Sequence, residues 1–414
     1  MNDSRASHLR LADAVAAIAA GTLTARALAE AHLARIAATD AAIEAWACLD
    51  PSHVRAEADR CDAVRPSRGP LAGIGVGVKD IFATADLPTE DGSPIFAGHR
   101  PAHDAEAVAR LRRAGAYVFG KTVTAEFAYF QPGKTRNPWN ARHTPGGSSS
   151  GSAAAVAAGH VIAALGTQTN GSMIRPAAFC GVVGFKPTKD AIPYAGAFAF
   201  SPTLDQVGTF ARDVAGAARL ASVVADAGRV AAAPAALSRP PRLAWLPGFP
   251  WTQIEREGAA ALDAAAARLR AAGAEIVAVD FPVPWRDAHL VLRTIMLHEA
   301  ALRHRALQER ERARMSAQLN AALDEGHATP DGDYRTALRR RDEAIGTFTA
   351  WLAGFDAVVS PPARGAAPAD LASTGDPACC SLWSLTGFPA ISIPIGRAAK
   401  GLPLGMQLAA PQGA

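Results

Sequence analysis

The stretch Thr144–Thr188 reads TPGGSSSGSAAAVAAGHVIAALGTQTNGSMIRPAAFCGVVGFKPT. It contains two tight loops rich in glycine and serine, residues 146–152 and 169–172, which an apolar segment separates. Glycine permits backbone angles that bring N–H groups close to a ligand, and each loop also carries hydroxyl groups. Upstream, a single lysine, Lys79, lies within the apolar run 73–82. This combination indicates a serine nucleophile that is activated by a lysine rather than by a histidine.

The overall composition is that of a soluble globular protein. The chain has 414 residues, of which 49% are hydrophobic and 19% are charged, and its net charge is +4. Because this charge is small and evenly spread, we expect neither nucleic acid nor an anionic membrane as a partner. No apolar stretch approaches the roughly 20 residues that a membrane span requires.

The five cysteines indicate the compartment. Their number is odd, no CxxC spacing occurs, and the polar segment Met1–Arg10 does not resemble a secretory signal. Reduced thiols are typical of the cytoplasm, so we expect a cytoplasmic protein.

Hydrophobic periodicity predicts strands that alternate with helices. The predicted strands are Ile74–Val78, Ala116–Phe119, Arg242–Leu246, Ile276–Val279, Ala390–Ile395 and Pro403–Leu408. The predicted helices include Leu9–Ala20, Ala25–Ala38 with Thr24 as N-cap, a helix that Asp104 caps, and Arg256–Ala272. Such alternation favours an α/β sheet with helices on both faces. We expect a single large domain over residues 1–414, with N-terminal helices in residues 1–60 and a helical cap or insertion in residues 288–350.

Two segments fit the sequence pattern of a catalytic or binding motif but lack the secondary structure that the motif requires. Gly115–Thr122 fits the P-loop pattern, yet its middle residues favour a strand, and the expected helix precedes them instead of following. Gly147–Gly151 fits the nucleophile elbow with Ser149 at its centre, but the segment before it is rich in turns. None of the histidines at 160, 298 and 304 has a triad setting. We therefore expect neither a nucleotide site nor a serine–histidine hydrolase.

Several long motifs occur in an order that resembles the amidase signature family. They are Lys79 in its apolar run, GGSSSGSAAA, GTQTNGSMIRPAAFCGVVGFKPT, Arg136–Trp139, Gly387–Ile391 and Gly401–Leu408. The resemblance covers essentially the whole chain. It implies a mixed central β-sheet with helices on both faces and an amidase that hydrolyses a carboxylic amide without a cofactor or a metal.

The same resemblance implies a Ser–cis-Ser–Lys triad. Ser172 matches the nucleophile, Ser148 the serine in a cis peptide, and Lys79 the base. The chemistry agrees, since a serine hydroxyl needs a base to remove its proton, and desolvation favours the neutral amine that lysine needs for this role. Ser148 would relay the proton, and the reaction would pass through an acyl-enzyme.

The backbone amides of residues 169–172 (Thr169, Asn170, Gly171 and Ser172) are expected to form the oxyanion hole. This chain departs from the family here: Asn170 replaces a common glycine, and Gln168 replaces a common aspartate. Asparagine tolerates a left-handed backbone, and its side chain would reach the acyl group. Arg175 lies one residue later than is common. Two roles stay open for it, recognition of a substrate carboxylate or a structural ion pair.

Three functions remain open from the sequence. The first is an amidase that acts on a small linear amide, with no nucleic acid and no membrane as partner and with a homodimer left open. The second is the subunit of a tRNA amidotransferase that releases ammonia from glutamine. The third is a non-catalytic relative that only binds, which the presence of Lys79, Ser148 and Ser172 disfavours.

Overall fold

One β-sheet runs through the molecule. The computed structural model describes residues 6–64, 69–235 and 237–413, so residues 1–5, 65–68, 236 and 414 of the expected domain lie outside the described part. The eleven strands within these ranges are β1 Trp46–Cys48, β2 Gly75–Lys79, β3 Tyr117–Thr122, β4 Ala163–Gln168, β5 Val183–Lys186, β6 Gln206–Ala211, β7 Arg242–Trp245, β8 Glu275–Ala278, β9 Ala357–Ser360, β10 Ala390–Arg397 and β11 Pro403–Ala409.

The strand order makes the sheet mixed. The order is β1-β3-β2-β4-β6-β5-β10-β11-β9-β7-β8. Strand β2 pairs in parallel with β3 and β4, and β7 pairs in parallel with β8 and β9, whereas the strands between these groups pair antiparallel. The predicted closing pair is present as β10 and β11.

Twelve α-helices flank the sheet in the described ranges. They are α1 Leu11–Ala19, α2 Ala25–Ile43, α3 Pro51–Ala63, α4 Glu106–Arg113, α5 Ser150–Ala158, α6 Ile174–Cys180, α7 Val214–Val224, α8 Arg256–Ala271, α9 Ala288–Glu311, α10 Ala317–Ala328, α11 Asp331–Trp351 and α12 Ser381–Leu385. None of them combines the length and the apolar character that a membrane span requires.

Alternate side chains of the central strands enter two different cores. In β3, Val118 packs with α1, α4 and α7, whereas Tyr117 and Phe119 pack with α2, α3 and α5. In β4, Leu165 joins the first core and Ala164 the second. Since successive side chains of a strand point to opposite faces, both faces of the sheet are covered. The prediction of an α/β sheet with helices on both faces is confirmed.

The helices α9, α10 and α11, here called the cap helices, form a third core with the sheet. Buried residues of this core include Leu292, Phe348 and Trp383, the last of which lies on α12. The edges of the Phe348 and Trp383 rings meet at a centroid distance of 6.5 Å. The cap helices therefore pack on α12, which lies beside the serine-rich loops described below.

One of the two predicted helix caps is wrong. Thr24 caps α2 as expected, since its hydroxyl accepts a hydrogen bond of 3.0 Å from the Ala27 amide. Asp104 does not cap α4, which has Ala105 at its N-cap. The Asp104 carboxylate instead accepts hydrogen bonds from the Ala85 amide and from the Arg112 side chain. Two partners outside the first helical turn therefore compete successfully with the cap.

Candidate active site

Lys79 ends the central strand β2 inside the protein. Every residue of β2 is buried, and the Lys79 side chain has no exposed surface. Its Nζ donates hydrogen bonds of 2.8 Å to Ser148 Oγ and of 2.8 Å to Thr167 Oγ1. Burial lowers the pKa of Lys79 to about 7, and the nearby Asp205 carboxylate opposes this shift. A large fraction of Lys79 is therefore neutral near pH 7 and able to accept a proton.

The loop that carries Ser148 is held on several sides. The peptide bond between Gly147 and Ser148 is cis. Gly146 has φ of 81°, and a Cβ there would lie 2.8 Å from the Cα of Pro176, so only glycine fits. The Ser148 carbonyl accepts a hydrogen bond of 3.1 Å from the Ala125 amide. These contacts leave the Ser148 hydroxyl directed to Lys79.

Ser149, the centre of the rejected nucleophile-elbow match, has its hydroxyl bound to backbone. Its Oγ donates to the Thr167 carbonyl at 3.1 Å, and the residue is fully buried at the start of α5. The preceding residues form no strand. Both features differ from the exposed serine of a nucleophile elbow.

The second loop, residues 169–172, presents free amides. Within the described chain, the N–H groups of Asn170, Gly171 and Ser172 donate no hydrogen bond. Gly171 takes the left-handed conformation with φ of 85°, whereas Asn170 has no positive φ. The turn does not use the tolerance of asparagine for a left-handed backbone, because the following glycine takes that conformation. The Asn170 Oδ1 accepts a hydrogen bond of 3.2 Å from Ser381 Oγ at the start of α12.

Ser172 lies between this loop and α6. It is buried, and its hydroxyl has no hydrogen-bond partner among the residues that the structure describes. Lys79 and Ser148 are thus hydrogen-bonded to each other, whereas Ser172 Oγ is not bonded to Ser148. The serine that the resemblance implies as nucleophile has an uncommitted hydroxyl.

The Arg175 side chain connects the first serine loop to Thr374. Its Nη2 donates to the Gly147 carbonyl at 2.7 Å, and its Nε donates to the Thr374 carbonyl at 2.8 Å. Its buried Nη1 has no hydrogen-bond partner among the described residues, and a Cβ on Gly171 would lie 2.8 Å from it. No carboxylate of the described residues forms an ion pair with Arg175, so the structural ion pair is absent there. Burial lowers the pKa of this guanidinium to about 10.

Asp205 is a site residue that the sequence motifs did not reveal. Its carboxylate accepts hydrogen bonds from Thr169 Oγ1 at 2.6 Å and from the amides of Phe200 and Ser201 at 2.8 and 2.9 Å. Burial raises the pKa of Asp205 to about 7. Its position directly before the apolar strand β6 could have indicated a buried carboxylate. Such a carboxylate requires hydrogen-bond partners.

Gln168 links two helices beside the second loop through its side-chain amide. Its Oε1 accepts hydrogen bonds from the amides of Met173 at 2.9 Å and Ile174 at 3.1 Å, at the N-terminus of α6. Its Nε2 donates to Ser384 Oγ at 3.0 Å. The neutral amide therefore anchors both α6 and α12 without adding a charge.

The P-loop match is a strand, as its apolar middle residues predict. Residues 117–122 form β3, and the Lys121 side chain is fully buried. Its Nζ donates to the Phe82 carbonyl at 2.9 Å and pairs with the Asp80 carboxylate at 3.1 Å. This ammonium is occupied by protein groups and does not face a phosphate.

Sequence relatives correct one expectation. The chain is 36% identical to a glutamyl-tRNA(Gln) amidotransferase subunit from Synechococcus sp. (strain WH7803), over 94% of this chain and 91% of that protein. A partner set restricted to a small molecule, without nucleic acid, is therefore contradicted. The inference failed because the net charge of one polypeptide does not report how an assembly holds an RNA.

Solved structures and a family model agree on the family. A crystal structure of an amidase superposes with a TM-score of 0.89 at 31% identity, covering 98% of this chain and 96% of that one. The peptide amidase from Stenotrophomonas maltophilia superposes with a TM-score of 0.84 at 32% identity, covering 97% and 93%. The family model named Amidase matches residues 27–414. The chain therefore belongs to the amidase family, the amidase signature enzymes, and is an amidohydrolase.

Proposed function

We propose that the chain hydrolyses a carboxylic amide through an acyl-enzyme on Ser172. The Ser172 hydroxyl attacks the amide carbonyl while its proton passes to Ser148, and Ser148 passes its own proton to the Lys79 amine. The C–N bond then breaks as the proton returns through Ser148 to the leaving nitrogen. Water attacks the acyl-enzyme by the same relay, and Ser172 is regenerated.

One observation carries this proposal: the 2.8 Å hydrogen bond between Lys79 Nζ and Ser148 Oγ in a site with no exposed surface on the lysine. A base near its own pKa at the working pH transfers protons most efficiently. The lowered pKa of Lys79, about 7, meets this condition. Thr167 takes a second hydrogen bond from Nζ and so fixes the direction of the amine.

The free amides of the 169–172 loop would stabilise the oxyanion. Preorganised N–H donors cost no reorganisation during the reaction, and losing one such donor lowers the rate by about 10²–10³-fold in a studied protease. Asp205 supports this loop, because it binds the Thr169 hydroxyl at 2.6 Å.

Recognition of the acyl group would use Asn170 and Arg175. The Nη1 of Arg175, which has no partner in the described part of the chain, lies beside Gly171, so an acidic acyl group that approaches the loop would find a cationic donor. The side-chain amide nitrogen of Asn170 stays available, because among the described residues only its Oδ1 forms a hydrogen bond.

Ammonia release from a panel of amides tests the proposal. The panel contains neutral amides, acidic amides and peptide amides, and wild type is compared with Ser172→Ala and with Ser149→Ala. We expect Ser172→Ala to lose hydrolysis of every substrate, whereas Ser149→Ala keeps at least about a tenth of the wild-type rate. The reverse pattern would show that the nucleophile elbow is the real site.

A second candidate is favoured by the sequence relatives: the subunit of an amidotransferase that acts on glutamyl-tRNA. The support is identity that extends over 94% of this chain. In that role, glutamine would be the amide, and partner subunits would use the ammonia. The test is glutamine hydrolysis by the chain alone and with glutamyl-tRNA plus co-expressed partner subunits. Stimulation of glutamine hydrolysis by tRNA supports this role, and robust hydrolysis of other amides without any stimulation contradicts it.

A further inference from the structure

Glu299, on the cap helix α9, accepts an unusual number of hydrogen bonds. Its Oε2 accepts from Ser201 Oγ at 2.6 Å and from the Thr203 amide at 3.1 Å. Its Oε1 accepts from Thr203 Oγ1 and from Tyr334 OH, the latter at 2.9 Å. All four donors are neutral, and no cation of the described residues forms an ion pair with Glu299. A carboxylate with four fixed donors holds a geometry that a surface ion pair does not.

Three of these donors, the Ser201 hydroxyl and the amide and hydroxyl of Thr203, belong to the segment that ends at Asp205. Ser201 gives its hydroxyl to Glu299 and its amide to the Asp205 carboxylate, the latter at 2.9 Å. Asp205 in turn accepts the Thr169 hydroxyl at 2.6 Å. Three consecutive hydrogen-bonded steps therefore lead from the cap helices to the first residue of the proposed oxyanion loop.

The fourth donor comes from another cap helix. Tyr334 lies on α11, and its ring stacks on that of His298 with centroids 4.3 Å apart. Burial raises the pKa of Tyr334 to about 12, and the hydrogen bond to Glu299 acts in the same direction. The phenol thus remains a donor at every working pH. Glu299 lies on α9 and accepts a hydrogen bond from α11, so both helices hold its carboxylate in place.

We propose that Glu299 is a positioning residue, which sets the oxyanion loop 169–172 through the segment 201–205. It touches neither the triad nor the reacting carbonyl. The inference rests on the proposed function, because it requires that this loop stabilises the oxyanion. Donor placement matters steeply there, since a displacement of about 1 Å in an active site costs on the order of 10²-fold in rate.

Glu299→Gln is the direct test, with Glu309→Gln as its matched control. The glutamine keeps the size of the side chain, but its amide nitrogen no longer accepts, so two of the four donors lose their partner. Glu309 lies on the same helix, is exposed and forms no ion pair or hydrogen bond through its side chain within the described ranges. Rates are expressed per active site, titrated with a serine-reactive fluorophosphonate. For Glu299→Gln we expect kcat about tenfold lower with KM within twofold, and no change for Glu309→Gln.

A double-mutant cycle with Thr169→Val separates positioning from general support of the fold. The valine removes the hydroxyl that Asp205 binds, so Glu299 can no longer act on the loop through it. We expect Glu299→Gln to cost less than about threefold in kcat in the Thr169→Val background. Multiplicative effects of the two changes, or an unchanged kcat per active site in Glu299→Gln, would overturn the inference.

Two additions keep the result interpretable. If Glu299→Gln does not fold, Glu299→Asp is measured, which retains the charge but shortens the reach and should give an intermediate kcat. Ser172→Ala is assayed in parallel. Ser172-dependent hydrolysis that is indifferent to Glu299 contradicts this inference alone, whereas hydrolysis that survives Ser172→Ala contradicts the proposed function.

Discussion

The serine loops and the cap helices contribute to the same site in opposite ways. The loops place Ser148 and Ser172 through backbone geometry that few residue types permit, such as the φ of 81° at Gly146. The cap helices are regular, and the side chain of Glu299 on α9 is hydrogen-bonded to the segment 201–205, which leads to the second loop. A change in the loops should therefore abolish the chemistry, whereas a change in the cap should tune it.

After the loss of Ser172, removal of the Lys79 amine should cause the largest loss of activity. Lys79→Met keeps the apolar stem and deletes the base, so kcat should fall by about 10²–10⁴-fold. Steady-state kinetics on titrated active sites measures it.

Lys186→Met is the matched control for Lys79→Met. Lys186 is equally buried, and burial lowers its pKa to about 7 as well, but its Nζ donates to Gln206 and to the Phe388 carbonyl rather than to a serine. We expect Lys186→Met to lose stability, about 1–3 kcal/mol for each acceptor left unpaired, and to keep kcat within about threefold. A similar loss of kcat in both variants would show that any buried lysine is required, and Lys79 would lose its special role.

Arg175→Ala should give the next largest effect, and a selective one. A charge-assisted hydrogen bond contributes about 1.5–3 kcal/mol, so KM for acidic amides should rise roughly 10–100-fold while KM for neutral amides stays within twofold. Loss of the donor to the Gly147 carbonyl should lower kcat for both classes. Arg212→Ala, at a second arginine whose pKa burial lowers to about 10, is the control without selectivity. An equal rise in KM for both classes would contradict carboxylate recognition by Arg175.

The pH dependence is a smaller effect with a defined sign. The proposed mechanism requires the neutral amine of Lys79, so kcat/KM should rise about tenfold per pH unit below pH 7 and level off above it. The Asp205 carboxylate raises the pKa of Lys79, so Asp205→Asn should move the midpoint to lower pH. A flat profile from about pH 5.5 to 8.5 in wild type would exclude a base with this pKa.

The smallest effect is expected from a change at Ser316, the N-cap residue of helix α10. The Ser316 hydroxyl accepts a hydrogen bond of 3.2 Å from the Leu319 amide at the start of α10. Ser316→Ala should lower the free energy of unfolding by about 1 kcal/mol in urea titrations and leave kcat within twofold. A tenfold loss of kcat would show that the cap helices act on the site through contacts other than those of Glu299.

The serine loops were predictable from the sequence because their geometry demands particular residues. Gly146 and Gly171 take left-handed backbones, and Lys79 lies in an apolar run, so each leaves a local signal. Alternating patterns likewise predicted the sheet and its two covered faces. The Asp104 cap was wrong because the carboxylate binds the distant Ala85 amide and the Arg112 side chain at the far end of α4 instead of an amide of the first helical turn.

Residues that act through long-range contacts were not predictable. Asp205 meets Thr169 across 36 positions, and Glu299 meets Ser201 across 98. A helical pattern over residues 288–350 reveals neither which glutamate faces inward nor which hydroxyl it meets. The net charge could not predict the similarity to a subunit of a tRNA amidotransferase, because the net charge describes one chain and not the assemblies that it enters.

Covalent labelling of Ser172 tests the central claim most directly. Wild type, Ser172→Ala and Ser148→Ala are treated with a fluorophosphonate, and the modified peptide is located by mass spectrometry. The account predicts one adduct per chain on Ser172, no adduct in Ser172→Ala, and slow labelling of Ser172 in Ser148→Ala because the proton relay is broken. An adduct on Ser148 or Ser149, or labelling that persists in Ser172→Ala, would contradict the account.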